Sequence, residues 1–194
     1  MSAFTVISFF TPDWRYPEYA QNLMADCERL GLNHVIEKKD STGSYIKNCN
    51  IKPNFVRDKL HSLQRPVLWM DVDGSILRVP RELTDCYNED ILGYQNQGYP
   101  DRIFVCTLLF NYTPATLDFV DTWCRYSENF IDDGAFNDAL QNSNIQVSIK
   151  TLPGNQITII KNNQEINNDQ TCFVHRLSNS DLKWQYKHKV EGRR

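Results

Sequence analysis

With 194 residues, 41% hydrophobic and 23% charged, the chain has the size and apolar content of one soluble globular domain with a sizeable core. Its 21 basic and 24 acidic residues leave a net charge of −3, which excludes coating nucleic acid by bulk charge while leaving room for a local basic patch. The six cysteines include no CxxC pair and are read as reduced thiols, with Cys106 and Cys124 in apolar surroundings, rather than as a disulfide framework.

The N-terminus, MSAFTVISFFTPDW, has no basic leader, and no segment is long enough to span a bilayer. The chain is therefore expected in the cytoplasm, or in the host cytoplasm if it is virus-encoded. Phe4 to Phe10 reads as a strand closed by Thr11-Pro12-Asp13. Tyr16 to Leu30 has helical spacing, with Tyr19, Leu23, Met24, Cys27 and Leu30 on one face and Gly31 at its end. Asn33 to Lys38 is a second strand, and the polar stretch Asp40 to Ile51 is expected to be a loop. Pro53 opens a helix to about Leu63, followed by a strand from Val67 to Met70.

Beyond it, Pro80 to Leu83 is a short turn or helix, Ile91 to Tyr94 and Ile103 to Phe110 are strands, and Pro114 to Tyr126 is a helix. A further helix spans about Asp133 to Leu140. Strands at Val147–Leu152, Gln156–Ile160 and Cys172–His175 follow, and KHKVEGRR is a basic tail. The alternation of strand and helix in the first half predicts an α/β fold on a mostly parallel sheet. One domain over residues 1–186 is expected, with residues 187–194 as the tail.

The stretch RPVLWMDVDGSIL, residues 65–77, carries the strongest chemical signal. Four apolar residues run into Asp71 and Asp73, placing two like charges at the mouth of the core, which is costly without a cation between them. In an open α/β sheet, ligands bind beyond the carboxyl ends of strands, where these acids fall. Period-two alternation predicts both carboxylates on one side, with Val72 turned away. Such oxygen donors suit Mg2+ or Mn2+ completed by water and substrate phosphates.

KPNFVRDKL, PVLWMDVDGSIL, VPREL, IFVCTLLFNYTPATLDFVDTW and IDDGAFNDAL, taken in order, resemble the GT-A fold of nucleotide-sugar transferases. The resemblance covers most of the chain. Leu108–Thr113 and Trp123 match its middle piece, and Asp133, Phe136, Asn137, Ala139 and Leu140 match its acidic segment. Thr107 and Gly134 depart from it, standing where that family often has Gly and Gln. His175 to Trp184 (HRLSNSDLKW) resembles the H-x-x-G-x-x-K-P-W tail of glycogenin-like members, with spacing two residues longer and without the Gly and Pro.

The resemblance implies a GT-A-like, Rossmann-related α/β/α sandwich around a mostly parallel mixed sheet, and a metal-dependent glycosyltransferase. Its donor would be a nucleotide-diphosphate sugar, with UDP expected. It implies that Asp73 and His175 hold Mn2+ or Mg2+, with Asp71 on the ribose and reaching the metal through water. Lys52 and Lys183 would add positive charge near the diphosphate, Thr11 to Tyr16 would hold the base, and Tyr16 is the stacking candidate. In an inverting enzyme Asp133 would take the acceptor's proton, with Asp132 as the reserve; in a retaining one Asp133 would position the substrates. Both acids also fit as helix caps.

The Tyr-, Asn- and Gln-rich stretch 87–99 suggests a glycan or glycoconjugate acceptor. The basic tail suggests the alternative of a hydroxylated base in DNA, as in virus-encoded modifying transferases. DVDGSIL also resembles the first motif of haloacid-dehalogenase-type phosphotransferases, with Asp71 as nucleophile and Asp73 as general acid. Against that stand the two strands that precede it and the absence of Lys between Leu60 and Ile149. A non-catalytic sugar-nucleotide binding module is the remaining alternative.

Overall fold

The computed structural model describes residues 3–85, 88–96, 98–128, 131–160 and 169–176. In chain order the elements are β1 (Thr5–Phe10), α1 (Tyr16–Arg29), β2 (Asn33–Lys38), α2 (Tyr45–Cys49), α3 (Ile51–Leu63), β3 (Val67–Met70) and β4 (Gly74–Ile76). There follow β5 (Ile91–Asn96), β6 (Tyr99–Phe110), α4 (Pro114–Tyr126), α5 (Asp132–Asn142), β7 (Ile149–Leu152), β8 (Ile157–Ile160) and β9 (Phe173–Arg176). The main sheet runs β2-β1-β3-β6-β5-β7. β1 lies parallel to β2 and β3, β6 runs antiparallel to β3 and β5, and β5 is parallel to β7. The expected mostly parallel mixed sheet is present, with β6 as its reversed strand.

Alternation along the central strands divides the core. Val67 and Trp69 join Phe55, Val56 and Leu60 of α3, Trp123 of α4 and Phe136 of α5 on one face. Leu68 and Met70 face the other way, against Leu23 and Cys27 of α1 and Phe173 of β9. Three helices therefore cover one face. The other is covered by α1 beside a small second sheet of order β4-β9-β8, so one outer layer of the expected sandwich is part strand.

Two local expectations are corrected, and one strand is added that the sequence reading does not assign. The polar stretch after Asp40 contains a helix, because Ser44 caps α2 by accepting a hydrogen bond from the Lys47 amide. Helix α3 begins at Ile51 and holds Pro53 within its first turn, where a missing N–H leaves no helical hydrogen bond unmade. Gly74–Ile76 is a strand, paired antiparallel with β9.

β6 is bent against its partners. Its pairing with β5 steps from Gly93↔Leu108 to Tyr94↔Phe104, which leaves Val105, Cys106 and Thr107 outside that ladder. The same residues serve β3 instead, through Met70↔Thr107 and the hydrogen bond from the Asp71 amide to the Cys106 carbonyl at 2.9 Å. Gly93 permits the crossing, since a Cβ there would lie 2.7 Å from Leu108 Cδ2 and 3.1 Å from Ile103 Cγ2.

Asn137, buried on α5, clamps that helix to the bent strand. Its Oδ1 accepts from the Ile103 amide at 2.7 Å, and its Nδ2 donates to the Ile103 carbonyl at 3.1 Å. Asn137→Ala leaves both groups unmatched and should cost about 1–3 kcal/mol of stability, read as a lower urea midpoint at unchanged slope. An unchanged midpoint would remove the clamp from the account.

Candidate functional site

A cavity of about 370 Å3 opens beyond the carboxyl ends of β1 and β3. The chain leaves β1 for β2 on one side and reaches β3 on the other, so this is the switch point of the sheet. The tip of β1 contributes Phe9, Phe10 and Thr11, and α1 adds Tyr16. α2 and the start of α3 bring Tyr45, Asn48, Cys49 and Lys52. Residues 69 and 71–73, Phe104 to Cys106, Asn96, and Ile131 to Asp133 complete the wall. Thr11, Tyr16, Lys52, Asp71, Asp73, Asp132 and Asp133 thus meet in one cavity, from four separate parts of the chain.

The charge at its floor is organised around Lys52, which is only 5% exposed. Its Nζ lies 2.8 Å from Asp71 Oδ1 and 2.5 Å from Asp132 Oδ2, and 5.2 Å from the centre of the Trp69 ring. It supplies a cation to Asp71, one of the two acids at the strand end. Burial alone would lower the ammonium's pKa, but the carboxylates of Asp132 and Asp71 hold it well above the ordinary lysine value. Burial likewise works to raise Asp71, yet Lys52 and then a hydrogen bond from the Cys106 thiol keep it below the usual carboxylate range. The Trp69 indole N–H donates to the same Asp71 Oδ1 at 2.9 Å.

Asp132 is held from two directions. Its side chain pairs with Lys52, and its carbonyl accepts from the Trp123 indole at 3.0 Å. Trp123 is itself fixed edge-on against Phe136, with ring centres 5.1 Å apart. Asp132 and Asp133 both sit in the first turn of α5 and neither supplies its cap: that position belongs to Ile131, which has no side-chain cap. Asp133 differs from its neighbour in environment. Burial first, and then the negative charge of Asp132, push its pKa up, while its Oδ1 accepts from Asn137 Nδ2 at 3.1 Å. A carboxyl raised in this way, at the wall of a cavity, is suited to exchanging a proton with a bound hydroxyl.

Residues 71–73 correct a second group of expectations. β3 ends at Met70, and the Gly74 amide donates to the Asp71 carbonyl at 2.9 Å, so the acids lie on a turn rather than on alternating strand positions. Val72 accordingly lines the cavity as well and packs with Tyr19 and Ala20. Cys106 is not in purely apolar surroundings, since it touches Asp71. Burial and the Asp71 charge raise its thiol well above normal, and burial takes Cys49 to about 12, so both remain protonated rather than nucleophilic at neutral pH.

His175 is placed behind the cavity wall. It is 4% exposed, its Nε2 lies 2.6 Å from Thr107 Oγ1, and its ring stands edge-on to Phe104 at 5.3 Å. The pairing Gly74↔His175 keeps it next to the acidic turn without bringing it into the cavity. Lys183, Tyr87, the rest of the segment Leu177 to Trp184 and the tail 187–194 lie outside the described residues. No three His, Cys, Asp or Glu side chains gather at metal-ligand spacing among the described residues. Among the described residues the cavity holds the carboxylates of Asp71, Asp73, Asp132 and Asp133 against the one ammonium of Lys52. That excess of hard oxygen donors fits a divalent cation completed by water and an anionic ligand.

Sequence reasoning misses Tyr45, Asn48 and Cys49, because the polar composition of residues 40–51 reads as a loop. The Ser44 cap ahead of Tyr45 and Cys49 at i, i+4 was the available signal. The burial of Lys52 was also legible, since Phe55 and Val56 stand three and four positions on, along the same helix face.

Lys52→Met should destabilise the protein by about 3–5 kcal/mol in urea unfolding, because Asp71 and Asp132 then face each other with no cation between them. Adding Asp132→Asn should restore part of the loss. The pH dependence follows in sign. Asp71, depressed in the fold, contributes stability that is present above the ordinary aspartate pKa and is lost as pH falls through its lower folded value. Asp133, raised in the fold, contributes stability at low pH that is lost as pH rises, so Asp133→Asn should stabilise at neutral pH. Identical melting of Asp133→Asn and parent across pH 4–8 would contradict the raised pKa.

No family model matches the chain, and no curated protein matches it. Solved structures do. A glycosyltransferase involved in the glycosylation of the major capsid of PBCV-1 superposes with a TM-score of 0.67 at 12% identity, covering 98% of this chain and 99% of that one. The glycosyltransferase GlyE of Streptococcus pneumoniae TIGR4 superposes at 0.62, and its apo form at 0.59. Each is 12% identical, and each match covers 96% of this chain and 60% of GlyE. The mixed α/β architecture around a mostly parallel sheet is the fold this chain shares with those glycosyltransferases.

Proposed function

We propose that the protein is a glycosyltransferase of GT-A type that takes a sugar from a nucleotide-diphosphate donor, UDP first among the candidates, to a glycan or glycoconjugate acceptor. The observation that carries this is the meeting of Thr11, Tyr16, Lys52, Asp71, Asp73, Asp132 and Asp133 around one cavity at the sheet's switch point. The shared fold supports it, and one of the neighbours takes part in glycosylating a capsid, which favours a glycoconjugate acceptor here.

Thr11 and Tyr16, just past β1, are assigned the base end of the donor, and Asp71 the ribose. Lys52 acts by holding Asp71 and Asp132 in place. Asp73, Asp71 and His175 would hold Mn2+ or Mg2+; when bound, the ion would neutralise the diphosphate as the glycosidic bond breaks. Without a cation, a doubly charged diphosphate would enter a cavity whose carboxylates outnumber its ammonium. Asp133 accepts the acceptor's proton, or positions the acceptor if configuration is retained. Asp132, tied to Lys52, is the less available of the two acids.

Calorimetric titration with UDP and GDP, with and without manganese, tests the class. Binding of a nucleotide diphosphate that needs the metal is expected, and no binding in its presence would end the enzyme assignment. Asp73→Ala should weaken metal binding more than Asp71→Ala does, because Asp71 is already committed to Lys52 and Trp69. Asp133→Asn should lower transfer by about 10²-fold or more while donor affinity holds. Donor binding without hydrolysis in the parent would instead mark a binding module.

A further inference from the structure

The mouth of the cavity has a built-up side. Past Gln95↔Ile103 the β5–β6 register steps to Asn96↔Tyr99, so the ribbon tip is bent a second time. Asn96 there lines the cavity, and its strand partner Tyr99 is 67% exposed. Among the described large apolar side chains Tyr99 is the most exposed, and the next include Ile131 at 40%, which lines the cavity together with Asp132 and Asp133. A wet aromatic ring is ordinary on a surface. This one is carried on the ribbon whose strand β6 is tied at Ile103 to Asn137 of α5, the helix that also bears Asp133.

Arg102 joins the two. Its guanidinium lies 5.9 Å from the Tyr99 ring centre, and its charge acts on Asp133, partly offsetting the upward shift. The Asn137 amide holds Ile103, next to Arg102, and also donates to Asp133 Oδ1. Tyr99, Arg102 and Asp133 therefore form one continuous strip from solvent to the cavity wall. An apolar face with hydroxyl-matching groups at its edge is what a pyranose ring needs: its C–H face buries against the aromatic ring, and its hydroxyls find donors and acceptors in Asn96 and Arg102.

We propose that this strip is the acceptor subsite, with a pyranose of the acceptor stacked on Tyr99 so that one hydroxyl is directed to Asp133. The assignment rests on the glycosyltransferase reading above and adds the chemistry of its second substrate. In the transfer the acceptor oxygen forms a bond to the anomeric carbon of the donor, the bond from that carbon to the diphosphate oxygen breaks, and the acceptor's proton leaves to Asp133 or to solvent.

The test uses the full chain with methyl glucoside, methyl galactoside and methyl N-acetylglucosaminide as probes, followed by saturation-transfer NMR, with UDP and GDP titrated separately in the same preparations. At least one glycoside should bind the parent. Tyr99→Ala should weaken it about tenfold or more, while Tyr99→Phe, which keeps the ring, should bind as the parent does. Equal glycoside affinity in Tyr99→Ala and the parent would overturn the subsite, as would nucleotide binding with no glycoside bound by the parent. If neither nucleotide nor glycoside binds, the glycosyltransferase reading falls and the subsite falls with it.

Discussion

A single buried ammonium between two carboxylates holds this site in register. Lys52 comes from α3, Asp71 from the end of β3 and Asp132 from the start of α5, so one charge joins both sides of the cavity floor. Its value is not measured by ion-pair strength alone, since the desolvation of three charged groups works against their attraction. It is better seen as geometric. Remove the cation and two like charges are left facing each other; keep it and the start of α5, with Asp133 next to the paired Asp132, is tied to the cavity floor.

The bent strand does the complementary work. Leu108, Leu109 and Phe110 of β6 pair with β3 and β5 at once, whereas beyond Leu108 the β5 ladder steps aside and only the β3 side continues, to Thr107. By stepping out of register, β6 lends Cys106 and Thr107 to β3, and its thiol to Asp71. Bulges that turn a strand aside next to a ligand cavity are a recurring way of aiming side chains. Here the two steps aim different things: the inner one supports the acidic turn, and the outer one sets Tyr99 opposite the cavity-lining Asn96.

Most of the frame was legible because its signals are local. Buried strands such as Val67–Met70 are short apolar runs ended by polar residues, and Pro114–Tyr126 has a capping Thr113 followed by helical periodicity. The ordered segments around Asp71, Trp123 and Asp133 pointed to the same cavity the fold assembles. What could not be read depends on distance in sequence. The turn that brings Val72 into the cavity is fixed by Cys106, and the burial of Cys106 beside a carboxylate is a tertiary fact. His175 ends an apolar strand, as expected, but its neighbours are set by the sheet it joins, which pairs it with Gly74 and sets Thr107 and Phe104 against its ring.

The pairing of Gly74 with His175 also bears on how the molecule is made. The two residues lie about a hundred positions apart, and their contact fastens the acidic turn to a strand formed late in the sequence. Closing a loop of that length carries an entropy that only the finished sheets offset, and contacts of such separation slow the approach to the native state. The pairings of β1 with β2 and β3 close shorter loops, whereas the turn bearing Asp71 and Asp73 draws one of its partners from the far end of the described chain. A chain deprived of β9 would keep the shorter-range pairings of the main sheet while the acidic turn lost the strand that Gly74 pairs with.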